Sequence, residues 1–233
     1  MIWEDLAALD RLILEGLNGS DSVLVDRLAM LLTSGLTWIP LYLALLYLVI
    51  KNNETMAQIL LVVCCAGLCL LLAGGIDGGI VKPLVARPRP ALDPVMKYSV
   101  RIVDGYRASG FSFFSAHAAN TMSLAVFFSL LVRDRLFIAV MMLWSLVNCW
   151  TRLYLGVHYP SDILCGLLWG VLSGVASYAV FTHVYFRLTP KINYISSQYT
   201  RTGYSMADID VVMMVVVGTL AAVQLAALAT LPY

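Results

Sequence analysis

Charge is scarce in this chain. Charged residues make up 12% of its 233 positions, against roughly 25% in a soluble domain. With 61% hydrophobic residues, that deficit excludes an ordinary water-soluble domain and points to a membrane protein. Basic excess is missing too. A formal net charge of +1 excludes nucleic acid as a partner, because that role needs a dense basic surface. The first residues, Met1-Ile2-Trp3-Glu4-Asp5, carry no basic segment ahead of an apolar run, which argues against a cleavable signal peptide. Cysteines lack a metal-binding pattern: Cys64, Cys65, Cys69, Cys149 and Cys165 all lie within apolar runs, none paired at zinc-ligand spacing with a histidine nearby. Core packing is the reading that pattern supports.

What the chain has instead is long runs without charge. A spanning helix needs about 20 apolar residues, with a range of roughly 17–25. Leu28 to Ile50 is one run, closed by Lys51-Asn52-Asn53-Glu54, and Thr55 to Ile76 is a second, broken by Asp77. Ala108 to Val132 is a third, its membrane part starting near Ser115, and Leu136 to Thr151 a fourth. Ile163 to Phe186 and Val211 to Tyr233 complete the set. Backbone polar groups in lipid must be satisfied internally, so these runs read as helices. The expected fold is all-α: a polytopic membrane helix bundle with six transmembrane helices, one domain over residues 1–233 without internal repeats.

Residues 2–27 differ. Leu6, Leu9, Leu12 and Leu14 interleave with Glu4, Asp5, Asp10, Arg11 and Glu15 before Asn18-Gly19-Ser20-Asp21 breaks the pattern. That is the composition of an N-terminal amphipathic helix, lying in the interface or packed on the bundle. The second run ends in Gly74-Gly75-Ile76-Asp77-Gly78-Gly79. Small residues at four-residue spacing let helices approach closely. Asp77 reads as a bundle-facing acid with a structural partner, or else as a functional one.

Three polar clusters stand at span ends: Lys82 to Pro90, with Arg87 and Arg89; Phe114-Ser115-Ala116-His117; and Thr151-Arg152 followed by His158 and Asp162. The first two share a loop and the third follows two further crossings, so all three fall on one membrane face. Taken singly, each basic residue reads as an interface anchor and each histidine as a structural residue. Together they match the needs of phosphoryl transfer: a nucleophile, a proton donor for the leaving oxygen, and positive charge around the equatorial oxygens. Lys82, Arg89 and Arg152 can supply the charge. Prolines 83, 88 and 90 are expected to stop the helix and let an extended chain turn its basic side chains inward. His158 and Asp162 are four apart, one helical turn if the fifth span begins there. A carboxylate on one imidazole nitrogen fixes the tautomer and stabilises the cation formed on attack. With His117 nearby, two histidines can divide the nucleophile and acid roles. His183, at the far end of the fifth span, has no second histidine or acid beside it and reads as structural. A metal is not expected, since Asp162 is the only acid close in sequence to the two site histidines.

Lys82 with Arg89-Pro90 beyond it, Ser115-Ala116-His117, and Arg152 with His158 and Asp162 resemble the motifs of the type 2 phosphatidic acid phosphatase and vanadium haloperoxidase superfamily, in its membrane lipid phosphatase branch. The motifs cover residues 82–162, and the span count extends the resemblance over most of the chain. It implies that His158 is the nucleophile forming a phosphohistidine, Asp162 its orienting partner and His117 the acid that protonates the leaving group. Lys82, Arg89 and Arg152 would hold the phosphate, assisted by Ser115 and the backbone N–H of Ala116, without any metal or other cofactor. This chain differs at Phe114 and Ala116, where the family usually has proline and glycine, and at Thr151, usually serine.

The implied partners are the bilayer and a lipid phosphate: phosphatidic acid, phosphatidylglycerol phosphate, an isoprenoid diphosphate or a lipid A phosphate. Residues 91–113, with Lys97, Arg101 and Arg107, form the expected headgroup-reading loop, and Arg87 and Arg107 are reserve phosphate contacts. Loop charge does not orient the chain. Lys51, Arg133, Arg135, Arg187, Lys191 and Arg201 on the far face balance Arg11, Arg27, Arg87, Lys97, Arg101 and Arg107 on the site face. The resemblance implies an active site on the extracytoplasmic face of a bacterial inner membrane. Transfer of phosphate to an acceptor lipid is the alternative within the same fold. A transporter is the alternative outside it, although transport sites lie near the midplane.

Overall fold

The computed structural model describes residues 2–188 and 197–231. Lys191, counted above on the far face, lies outside the described residues, as does Tyr233. Among the described residues the chain is all-α and forms one membrane helix bundle. Four helices are long and apolar enough to cross a membrane, or five if a bent pair is taken as one span. That is fewer than the six single helices expected, for two physical reasons.

The first reason is a bend. The run from Leu28 to Ile50 is not one helix: α2 (Val23–Thr33) and α3 (Ile39–Lys51) meet at 68°. Thr33-Ser34-Gly35 interrupts the apolar run, and Pro40, near the start of α3, lacks the N–H needed to continue α2. Carbonyls freed at the bend are satisfied locally. Thr37 Oγ1 donates to the Leu31 carbonyl (2.6 Å) and Trp38 Nε1 to the Leu32 carbonyl (2.9 Å). The second reason is length. The third run yields α6 (Ala116–Val132), only 17 residues long.

The N-terminal helix, α1 (Ile2–Leu17), packs against the bundle at the site end. It buries Asp10 and Leu14 while Leu6, Leu9, Leu12 and Ile13 remain exposed. α4 (Met56–Leu70) continues through two wide π-helical turns, Leu71–Gly75 and Asp77–Val81, into the short turn α5 (Lys82–Val85). Pro83 therefore lies inside helical structure, and the helix stops only at Ala86, whose left-handed backbone (φ 47) ends it. The remaining helices are α7 (Arg135–Tyr154), α8 (Pro160–Leu188) and α9 (Met206–Ala229).

α6 is the axis of the bundle. Thirteen of its residues are buried, and it packs against α4, α7 and α8, while α9 closes the far side against α2 and α3. The tight seam is α6 on α8, made by three glycines at four-residue spacing. A Cβ at Gly166 would lie 2.7 Å from the Ser115 carbonyl oxygen, at Gly170 2.7 Å from that of Ala119, and at Gly174 2.6 Å from that of Ser123. Only glycine permits that approach. The glycine pairs of α4 behave otherwise: Gly74 meets Asn120, whereas Gly78 and Gly79 face open space. Residues 86–115 and 155–159, with α1, gather at one end of the bundle, at the N-terminal ends of α6 and α8 and the C-terminal end of α7. All five cysteines are free, and His183 is exposed near the far end of α8.

Candidate active site

His158 sits in the loop between α7 and α8, 2% exposed. Its Nδ1 lies 3.5 Å from Asp162 Oδ2 and 3.5 Å from Ser112 Oγ. On the other side of the ring, Nε2 lies 3.3 Å from Arg89 Nη1. A guanidinium can only donate. Nε2 is therefore the unprotonated nitrogen, and the ring proton is on Nδ1, facing Asp162. Burial pushes the imidazole down to about 4; Asp162 pulls the other way, and the charges of Arg152 and Arg89 add to the depression. The outcome is a neutral imidazole with a bare Nε2.

Asp162, in the first turn of α8, is fully buried. Its Oδ2 accepts from the Tyr159 backbone N–H (3.0 Å) and from the Ser112 hydroxyl, and its Oδ1 accepts from Arg87 Nη1 (2.6 Å). The same carboxylate thus caps the start of α8 and faces His158.

The basic residues take up distinct postures. Arg152, at the end of α7 and 2% exposed, donates through Nη1 to Thr33 Oγ1 (2.6 Å) and Tyr106 Oη (3.0 Å). Its Nε is buried and has no hydrogen-bond partner among the described residues, a donor suited to an anion. Arg89 donates to the carbonyls of Ser109 (2.8 Å), Gly110 (3.1 Å) and Val157 (2.9 Å), tying the 86–115 segment to the His158 loop. Lys82 pairs with Asp77, and its Nζ also donates to the Phe114 carbonyl (3.0 Å). Asp77 in turn accepts from the Phe114 N–H (3.2 Å). Asp77 thus has a structural partner in Lys82 and holds the segment leading into α6 through the Phe114 N–H.

Ser115 caps α6, accepting from the Ala118 N–H (3.4 Å), and its own N–H donates to the Asp162 carbonyl (3.0 Å). Ala116 opens the helix, so its N–H belongs to the first turn, where intrahelical partners are lacking. His117, one residue on, is half-buried and within electrostatic range of Arg152, His158, Lys82 and Arg89. All eight residues singled out from sequence thus lie at one end of the bundle. Among the described residues no three His, Cys, Asp or Glu side chains come together as a set of metal ligands.

Two expectations need correction. Arg87 is not held ready for phosphate, because its guanidinium already bridges Asp162 and Asp10. Arg101 is likewise committed, pairing with Asp26 of α2 (2.9 Å), which leaves exposed Lys97 and Arg107 as the outward charges of its loop. Sequence reasoning missed Asp10, Thr33, Tyr106, Ser112 and Ser161. The Thr33-Ser34-Gly35 break in a charge-free run was the one usable signal.

From His117 an apolar cavity of about 550 Å³ runs between α3, α4, α6 and α7. Thr33, Asn120, Thr121 and Asn148 surround its polar end, and Val49 and Phe128 line its deeper part. Tyr42, Leu46, Val63 and Leu70 line it and are also exposed on the outer surface. The cavity therefore opens sideways between α3 and α4.

The PAP2 superfamily model matches residues 59–186. The chain belongs to the PAP2 superfamily. It is 36% identical over 179 residues to a lipid A 4'-phosphatase of Bacteroides thetaiotaomicron, covering 76% of this chain and 79% of that protein. A lipid A 4'-phosphatase of Porphyromonas gingivalis is 30% identical over 77% of this chain and 76% of its own length. Human sphingosine-1-phosphate phosphatase 2 is 29% identical over 46% of this chain and 27% of its own length. No solved structure matches the chain.

Proposed function

We propose that this PAP2-superfamily chain is an integral-membrane lipid phosphatase that cleaves a phosphate ester through a phosphohistidine on His158. The observation that carries the proposal is a buried His158 with Nδ1 facing Asp162 and Nε2 facing Arg89, set at the same end of the bundle as His117, from which a lipid-sized apolar cavity leads away. Nε2 attacks phosphorus while the bond to the leaving oxygen breaks, and His117 delivers its proton to that oxygen. Asp162 stabilises the positive charge that develops on the His158 ring. Water then attacks the phosphohistidine, giving up a proton to His117, and inorganic phosphate leaves. Arg152, Lys82 and Arg89, with Ser115 and the Ala116 N–H, hold the equatorial oxygens. No step needs a metal.

The cavity supports a substrate with an apolar tail beside its phosphate, and the relatives named for lipid A favour a phosphorylated saccharolipid over a glycerophospholipid. Six crossings remain our reading of the bundle, with α2 and α3 as one bent span. α6, at about 25 Å from its rise per residue, crosses because α4, the π-helical turn Leu71–Gly75, α7 and α8 sheath it. The active site faces the extracytoplasmic side of a bacterial inner membrane. Phosphate release from a panel of lipid phosphates, by the purified protein and by His158→Ala, tests the function. Release abolished by the substitution supports it, and wild type inactive on every lipid overturns it.

A further inference from the structure

Helix α1 reaches the catalytic carboxylate through one arginine. Asp10, 7% exposed, accepts from the Ser161 N–H (2.8 Å) through Oδ1 and from Arg87 Nη2 (2.7 Å) and the Ser161 hydroxyl through Oδ2. Arg87 Nη1 reaches Asp162 Oδ1 (2.6 Å) and Ser161 Oγ (2.8 Å). The guanidinium lies 3.9 Å from the centre of the Tyr159 ring, whose hydroxyl donates to Asp93 (2.8 Å); Arg11 stands 3.6 Å from that same Asp93. Asp10 of α1 thus touches Arg87 directly, and Arg11, the next residue, reaches Tyr159 through Asp93.

One guanidinium shared by two carboxylates divides its charge between them. Asp10 draws Arg87 away from Asp162 and leaves Asp162 more negative towards His158. Both carboxylates are largely excluded from water, where such effects are weakly screened. We propose that Asp10 is a positioning residue of the active site, setting through Arg87 both the orientation of Asp162 and the negative charge it presents to His158. The inference rests on the proposed role of His158, but the NMR readout of its test does not.

The test compares Asp10→Asn and Arg87→Gln in the full-length protein. The charged groups facing His158 are Asp162 of α8, Arg89 of the loop, Arg152 of α7 and His117 of α6; none is altered. Asp10→Asn keeps the size and an acceptor for Ser161 but leaves Arg87 wholly to Asp162, so His158 should protonate at lower pH. Arg87→Gln removes the competing cation, so His158 should protonate at higher pH. Shifts on the order of half a unit are expected, a fraction of the roughly 1–3 units that an adjacent charge produces.

Histidine-selective 15N NMR reads protonation directly, the His158 signal being identified by its absence in His158→Gln. Turnover supplies the second readout, with kcat falling about tenfold in Asp10→Asn, the scale set by outer partners of metal-bound ligands, and KM unchanged. Opposite NMR shifts with a loss confined to kcat establish the positioning role. Unmoved signals, shifts of the same sign in both variants, or a loss confined to KM overturn it. Opposite NMR shifts in a protein that releases phosphate from no lipid would instead retain the network and discard the phosphatase reading.

Discussion

His158 Nδ1 lies 3.5 Å from Asp162 Oδ2, although His158 stands two residues ahead of the helix that carries Asp162. The contact forms because Asp162 also accepts the Tyr159 N–H, which folds the loop back over the first turn of α8. Helix start and the His158–Asp162 pair are therefore one local structure. The long separation is of the kind that tightens when a ligand binds.

Acid should be tolerated unusually far. Attack requires unprotonated His158, and burial places its titration at about 4 rather than at the ordinary 6.5. In kcat/KM against pH, the acid limb should lie well below 6.5, with activity falling as pH drops through about 4. An acid limb at the ordinary histidine value would show that the ring is not buried in the working enzyme.

Arg152 should not be replaceable by lysine. Lysine keeps the charge but loses the buried Nε donor and the planar fork. Arg152→Lys should lower kcat/KM by roughly 10–100-fold, in line with losing a charge-assisted hydrogen bond of about 1.5–3 kcal/mol. Vanadate, a phosphate mimic, should inhibit wild type and do so more weakly in this variant, while EDTA should leave wild-type turnover intact. Abolition of turnover by EDTA would point to a metal.

Filling the cavity should discriminate between lipids. Ala66→Trp places an indole where the lining of α4 faces α6. KM for a long-chain lipid phosphate should rise about tenfold or more, since each excluded methylene forfeits about 0.8 kcal/mol. A short-chain soluble phosphate ester should be hydrolysed as by wild type. Equal effects on both substrates would mean that the cavity holds no lipid tail.

The glycine seam should be intolerant. In Gly166→Ala the new Cβ meets the Ser115 backbone oxygen at 2.7 Å, which no side-chain rotation relieves. A loss of about 1–3 kcal/mol is expected, read as a lower thermal midpoint in detergent. Activity should fall with it, because α6 carries His117 and α8 carries Asp162.

The three polar clusters were legible because charge is so rare here that Lys82, Arg89, Arg152, His117, His158 and Asp162 stood out at span ends. The chemistry of the bend was less so. Hydropathy alone cannot distinguish a straight run from Leu28 to Ile50 from one broken at Thr33-Ser34-Gly35, since both are equally apolar. The role of Arg87 was misread because its partner Asp10 lies 77 residues away on another helix, a distance no local pattern spans. Ser112 escaped for the same reason: a serine among aromatics carries no sign of the carboxylate it meets. Small residues at four-residue spacing also stand at Gly74 to Gly79, but there Gly78 and Gly79 face open space. A tight backbone approach of α8 to α6 is made by Gly166, Gly170 and Gly174, whose four-residue spacing recurs along a single face of α8.

The most direct measurement is rapid acid-free quenching of turnover on a lipid phosphate, followed by peptide mapping for an acid-labile, base-stable phosphoryl group. The account predicts one such group, on His158, accumulating in His117→Asn given a substrate with a good leaving group and absent in His158→Gln. Normal turnover with no phosphorylated histidine, or with the phosphoryl group on another residue, would contradict it.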